Sequence, residues 1–292
     1  MSFFTIDQRI PANRRHWIKG IGACSVVALL TLGANAETNS FYVSENTKEL
    51  AILSWDTSNP NGTKNYQSIG TMDYRMFDIA LLPDGRLLGI SGPGTYGANS
   101  ALFEINRATA AITLIGDTGY QLNALTFDPL TQKLLGAGYT DFVSLDLTSG
   151  AASRIGGLSG LSASGDLAIN NGTLYLSAGL GVISKLATVN PNTGDATLVS
   201  GNSIGYNSTW GMDTGNDGHL YGFANSYVFE INPATGASID GPASNYSLLN
   251  TTGVGSFDGV TTVPEPSSVI FIGLAGVAFA LSRRYARNAR TS

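Results

Sequence analysis

Four oxygen-bearing side chains recur at a similar place along this 292-residue chain. Asp78, Asn123, Asp166 and Asp258 each stand near the start of a short apolar stretch, and Gly211 holds the same place in a further one. Carboxylates brought together repel one another unless a cation or protons intervene. If the four converge, the expectation is a calcium site or a small polar pocket for a sugar. The plainer expectation is structural, with these side chains accepting hydrogen bonds from neighbouring backbone. A secreted hydrolase would instead set two carboxylates at a fixed separation. The chain holds many acids, and its sequence ranks no pair among them.

Other chemistries lack parts. Between residues 37 and 266 the only histidine is His219, in the turn sequence Asp217-Gly218-His219-Leu220, where an exposed hairpin residue is expected. Zinc or copper sites built from His and Cys have no ligand set. Gly92-Pro93-Gly94 and Gly179-Leu180-Gly181 lack a following Gly-Lys-Ser/Thr and a helix, so they read as turns and not as phosphate cradles. Tyr96, Tyr120, Tyr139, Tyr206, Trp210, Tyr227 and Tyr246 fall in or beside loops. Aromatic faces there suit sugar rings, although a β-rich core uses such residues too.

The elements that must position these groups repeat. Ile79, Leu125, Leu167 and Met212 are anchors spaced 46, 42 and 45 residues apart. Around each anchor run short segments of alternating or continuous apolar residues, the pattern of strands. Asp-Gly or Asn-Gly at 84, 171 and 217, and Ser-Gly or Thr-Gly at 149, 193 and 235, supply turns between them. Four short strands per unit of 40–50 residues is the pattern of a β-propeller. Residues 40–43, 50–55 and 66–70 supply a second, third and fourth strand without a first. Residues 256–260 supply a first strand in register, 46 residues beyond Met212. Together they make a fifth unit, closed by joining the two ends. The expectation for 37–262 is therefore an all-β, five-bladed propeller of four-stranded blades. A ring of six or seven blades and an open β-sandwich are the alternatives.

The two ends differ from this body. In Met1–Ala36, Arg9, Arg14, Arg15 and Lys19 precede a mostly apolar run, Ile21–Leu32, and Ala34-Asn35-Ala36 is a cleavage signature. This reads as a general secretory signal with mature start at Glu37. The twin arginines and the Ile21-Gly22-Ala23-Cys24 box only faintly resemble twin-arginine and lipoprotein signals. Cys24, the single cysteine, leaves with the signal, so the body has neither disulfide nor thiol. Residues 37–266 carry 20 acidic and 8 basic side chains, a net charge of −12. That charge argues against nucleic acid, anionic lipid and anionic polymer as unassisted partners.

At the other end, Pro264 and Pro266 fix φ and withhold donors, so Val263-Pro264-Glu265-Pro266 is expected to be extended and unpaired. Val269–Leu281 is 13 uncharged residues, short against the roughly 20 needed to cross a bilayer. Arg283, Arg284, Arg287 and Arg290 follow as a basic stop on the cytoplasmic face. An ordinary membrane anchor after a proline-rich linker has a similar outline. The order of Val-Pro-Glu-Pro-Ser-Ser, apolar helix and arginines resembles the PEP-CTERM sorting signal of exopolysaccharide-producing Gram-negative bacteria. The resemblance covers about the last 30 residues. It implies recognition by an exosortase, a membrane-embedded cysteine transpeptidase, and removal of the helix.

The resulting plan is a signal peptide over 1–36, a body over 37–262 and a sorting region over 263–290. The expected product passes the inner membrane transiently, with the C-terminal helix in the bilayer, and then reaches the cell surface or matrix. Its expected partners are the processing enzyme and exopolysaccharide. Its body is read as a binding or structural module, with a glycosidase- or lactonase-like enzyme as the alternative. No cofactor is expected beyond the calcium considered above.

Overall fold

Repeating turn chemistry cuts the chain into short strands. The computed structural model describes them for residues 38–59, 64–180, 183–205, 209–239 and 256–264. The expected signal peptide, the apolar C-terminal stretch and its arginines lie outside the described residues.

There are five sheets. The first contains β1 (Thr38–Glu45), β2 (Glu49–Asp56) and β3 (Asn65–Thr71). The second contains β4 (Met76–Leu81), β5 (Leu87–Ser91), β6 (Ala101–Ile105) and β7 (Ile112–Asp117). The third contains β8 (Leu122–Asp128), β9 (Lys133–Gly138), β10 (Asp141–Leu145) and β11 (Ala152–Gly157). The fourth contains β12 (Ser162–Asn170), β13 (Thr173–Leu180), β14 (Ile183–Val189) and β15 (Ala196–Leu198). The fifth contains β16 (Gly211–Thr214), β17 (Leu220–Ala224) and β18 (Tyr227–Ile231) among the described residues, with Ser238 in an isolated bridge to Ile231 on its outer side. The last strand, β19 (Phe257–Thr262), returns to the first sheet, whose order is β19-β1-β2-β3.

All pairings are antiparallel between chain neighbours, except that β19 joins β1 with Val43 opposite Val260. The innermost strands β4, β8, β12, β16 and β19 contact one another around a closed ring. This is the expected five-bladed propeller, with two ends of the chain sharing one blade. Among the described residues no helix is long and apolar enough to cross a membrane.

The core is divided into five wedges, one between each pair of adjacent blades. Phe41, Val43, Trp55, Tyr221, Phe223 and Phe257 fill the wedge between the first and fifth blades. Tyr42 and Leu50 face the other way, against Met76, Ile79 and Phe103 of the second blade. Both faces of a blade are thus buried, so β5 reads Leu-Leu-Gly-Ile-Ser with every residue buried. Continuous apolar runs follow from this two-sided burial, as in sheets covered on both faces.

An outer belt locks the blades. The hairpins after β6, β10, β14 and β18 are Asx turns in which Asn106, Asp146, Asn190 and Asn232 accept backbone N–H bonds. Each hairpin tip lies on the outer strand of the preceding blade. A Cβ on Gly116 would meet Ser149 O at 1.9 Å, and one on Gly156 would meet Thr193 O at 1.8 Å. The fourth blade has no such glycine, and Ser200 Oγ donates to Thr235 O at 2.6 Å instead.

One expectation about the tail changes. Val263 is not free: its N–H donates to Ser40 O at 2.8 Å, and its carbonyl accepts from Asn216 Nδ2 at 3.2 Å. Pairing ends at exposed Pro264, which has no N–H to continue the ladder. Glu265 and Pro266 lie outside the described residues.

Candidate functional site

An innermost strand pairs on one edge only, so its other edge offers unpaired backbone groups to the channel. Asp78 and Asp166 answer them. Asp78 Oδ1 accepts the Ile79 N–H at 2.7 Å and Oδ2 accepts the Leu125 N–H of the next blade at 2.6 Å. Asp166 Oδ1 accepts Leu167 N–H at 2.6 Å and Oδ2 accepts Met212 N–H of the next blade at 2.9 Å. Lower down, Asp213 Oδ2 accepts Thr262 N–H at 2.7 Å, and Thr261 Oγ1 accepts Leu81 N–H at 3.1 Å. Each is a tie from one blade to the next.

These ties fix the register around the ring. Asp78 and Asp166 share their level with Ala124, Gly211 and Gly259, and not with Asn123 and Asp258. The small residues leave room for the carboxyls: a Cβ on Gly259 would lie 2.4 Å from Asp78 Cα and 2.6 Å from its Oδ1. The Asp78 and Asp166 carboxyls interact across the channel. Burial pushes both far above the usual carboxylate range, and the Asp78 charge raises Asp166 further.

Asn123 and Asp258 stand one residue higher, with Phe77, Gly165 and Trp210. Asn123 Nδ2 donates to Ala163 O of the next blade at 2.9 Å. Asp258 is gripped by Arg75, Nε to Oδ2 at 2.5 Å and Nη2 to Oδ1 at 2.6 Å, while the guanidinium lies 4.9 Å from the Phe77 ring centroid. Burial raises the Asp258 carboxyl and Arg75 opposes that rise.

The four residues singled out for calcium therefore occupy two levels. Among the described residues no group of three or more His, Cys, Asp or Glu side chains is placed to hold a metal ion. The oxygens of Asp78 and Asp166 serve backbone amides and those of Asp258 serve Arg75, whereas Asn123 engages through its Nδ2.

The upper mouth, where the innermost strands begin, holds a cavity of about 250 Å³. It is lined by Phe77, Trp210 and Tyr139 on aromatic faces, by Gln121, Asn123, Ser164 and Ser184 as polar groups, and by Pro93, Leu122 and Ala163. None of these described lining residues is charged. Ser164 Oγ lies 3.3 Å from Ser177 Oγ and 3.4 Å from Ser184 Oγ, and Ser184 Oγ accepts Thr209 N–H at 3.2 Å. Among the described residues Asn123 Oδ1 and Thr209 Oγ1 are buried and find no hydrogen-bond partner.

Of the aromatics singled out from the sequence, only Tyr139 and Trp210 come together here. Tyr96 packs outside, edge-on to Tyr74 and Phe103. Tyr206 and Tyr246 lie outside the described residues. His219 is an exposed turn residue, as expected, with Nδ1 2.9 Å from Glu230 Oε1. Phe77, Gln121, Ser164 and Ser184 escaped sequence reasoning. The signal that points to two of them is glycine. A Cβ on Gly92 would enter the Phe77 ring at 2.3 Å, and one on Gly179 would meet Ser164 Cβ at 2.6 Å. Gly92 follows β5, and Gly179 lies within β13 rather than in the expected turn; both glycines make room for the mouth.

Gly201-Asn202-Ser203-Ile204-Gly205 has the spacing of a hydrolase nucleophile elbow, which corrects the expectation that the chain has no Gly-x-Ser-x-Gly segment. It follows a three-residue edge strand, and Ser203 Oγ donates only to Ser184 O at 3.5 Å and accepts Gly205 N–H. Among the described residues neither the strand–turn–helix setting nor a base is placed there.

The lower mouth, where the innermost strands end, opens into a second cavity of about 260 Å³ lined by Thr126, Asp213, Thr214, Thr261 and Thr262 among others. Burial raises the Asp213 carboxyl to about 6.

Fold and tail together define a closed propeller whose last strand runs straight into a sorting motif. Residues 262–284 match the PEP-CTERM protein-sorting motif. That motif marks an exported protein, handled by an exosortase-type enzyme and directed to the cell surface. No curated protein matches the chain. Among solved structures, the PQQ-bound aldose sugar dehydrogenase of Streptomyces coelicolor is 16% identical, with a TM-score of 0.41. That alignment covers 56% of this chain and 62% of the other, so this chain spans less than two thirds of it. The periplasmic gluconolactonase of Pseudomonas aeruginosa is 9% identical over 79% of this chain and 69% of the other, with a TM-score of 0.38. Neither likeness bears on activity.

Proposed function

We propose that the chain is an exported matrix or cell-surface protein whose propeller acts as a binding module for exopolysaccharide. In this reading residues 1–36 are removed on export, and 263–290 form the sorting region. Its apolar helix enters the inner membrane before the exosortase-type enzyme acts. The observation that supports it best is the meeting of body and tail: ladder pairing ends at Val263, and Pro264 is exposed as the motif begins. A processing enzyme would find its extended substrate directly beside a finished fold, and cleavage after it would leave every blade intact.

Binding is favoured over turnover by the upper mouth. Its described lining offers aromatic faces, amides and hydroxyls, with no carboxylate or histidine to move a proton. The test is the mass of the mature protein from producing cells. A species beginning at Glu37 and ending near Pro266 is expected. A species keeping Val269–Arg290 would make this an ordinary anchored protein.

A further inference from the structure

We infer that the upper-mouth pocket seats one neutral glycosyl ring, stacked on Trp210 and Tyr139 with its hydroxyls turned to Asn123, Ser164 and Ser184. The inference rests on the reading of the body as a polysaccharide-binding module and names the place and ligand class.

Three observations converge on it. The first is size and shape. A cavity of about 250 Å³ lies just below the usual range of roughly 300–1,000 Å³ for ligand pockets, so it suits one ring rather than a longer segment. The second is the division of its wall. Phe77, Trp210 and Tyr139 present flat apolar surface, and Tyr139 is 66% exposed at the rim. Gln121, Asn123, Ser164 and Ser184 present small neutral dipoles. A sugar ring has the matching division, a C–H face and a hydroxyl edge. The third is charge. The described lining is uncharged inside a body of net charge −12, and Arg75 against Phe77 is tied up by Asp258, so neither an anionic nor a cationic ligand is favoured there.

Asn123 gives the pocket a polarity. Its Nδ2 is committed to Ala163 O, which leaves Oδ1 as the free group, buried and with no partner among the described residues. An unmet buried acceptor is costly, and a ligand hydroxyl is the donor it lacks. Ser164 and Ser184 can donate or accept, so they suit hydroxyls of either orientation.

The test uses the mature protein from producing cells, with Tyr139→Ala and Trp210→Ala variants prepared alike. The probes are glucose, galactose and mannose, their neutral hexasaccharides, and glucuronic acid as the anionic comparison. Of the three tryptophans, Trp17 belongs to the expected signal peptide and Trp55 is 2% exposed in a blade wedge. Trp210 is therefore the fluorescence reporter at the site. A neutral probe is expected to change its emission saturably, with glucuronic acid inert. Calorimetry is expected to show at least a tenfold weaker affinity in both variants. Tyr139 is exposed enough that its removal leaves the fold intact should Trp210→Ala fail to fold. Absence of any neutral-sugar binding, equal binding of glucuronic acid, or wild-type affinity in Tyr139→Ala would overturn the inference. Retention on polysaccharide from the producing cells separates the two readings. If wild type and Tyr139→Ala are retained equally, the module reading stands and the pocket inference falls. If wild type is not retained, both fall.

Discussion

Asp78 has no exposed surface and three partners: the Ile79 and Leu125 amides and the Asp166 carboxyl. Replacing it by Ala strands the Ile79 and Leu125 N–H groups. A loss of about 2–4 kcal/mol of stability is expected by urea denaturation, at about 1–3 kcal/mol per orphaned buried group. The pH dependence runs opposite to that of an ordinary carboxylate. Asp78, Asp166 and Asp213 hold protons more tightly folded than unfolded. Their contribution is complete below the ordinary value of 3.8 and is lost as pH rises through the folded value, about 6 for Asp213. Melting temperature is therefore expected to fall between pH 4 and 7 in wild type, and to fall less in Asp213→Asn. A flat profile would remove the raised carboxyls as an influence on stability. Calcium at millimolar concentration is expected to leave melting unmoved, because the four expected ligands occupy two levels and the three carboxylates have other partners.

At the scale of elements, the hairpins and the strands beneath them form a belt that depends on missing side chains. Gly116→Ala and Gly156→Ala would drive a methyl into the Ser149 and Thr193 carbonyls. A loss of about 3 kcal/mol is expected for each in denaturant unfolding. Gly97→Ala, whose Cβ would meet nothing nearer than Asp117 Oδ2 at 3.9 Å, is expected to stay within about 0.5 kcal/mol of wild type. The hairpins themselves were legible, since Asn or Asp followed by Ser-Gly or Thr-Gly is turn chemistry readable within six residues. What they rest on was not, because Gly116 and Ser149 are neighbours only once two blades stand side by side.

For the whole molecule, closure by β19 is the decisive contact. This strand brings Phe257 and Val260 to one wedge, and Thr261 and Thr262 to the ties with Leu81 and Asp213. A chain ending at Gly255 is expected to lose cooperative unfolding, because the first blade lacks its inner strand. A chain ending at Pro264 is expected to melt like the longer protein. Equal melting of both by calorimetry would show that the ring does not need its clasp. Processing beyond Pro264 is, by the same argument, neutral to the fold.

The sequence by itself determined the blade count, the turns, the shared closing blade and the sorting motif. Each is written in local order: two-sided strands of apolar residues, turn pairs, a period near 45 and a motif read in line. Only the tertiary structure decided which oxygens meet. The innermost strands carry register shifts between Met76 and Asp78, between Leu122 and Ala124, and between Ala163 and Leu167. Asn123 and Asp258 are residues that such shifts leave unmatched in the ladder, one place before the level of Asp78 and Asp166, and no local pattern marks an unmatched residue. Asn123 and Asp258 therefore rise to the mouth while Asp78 and Asp166 close beneath it.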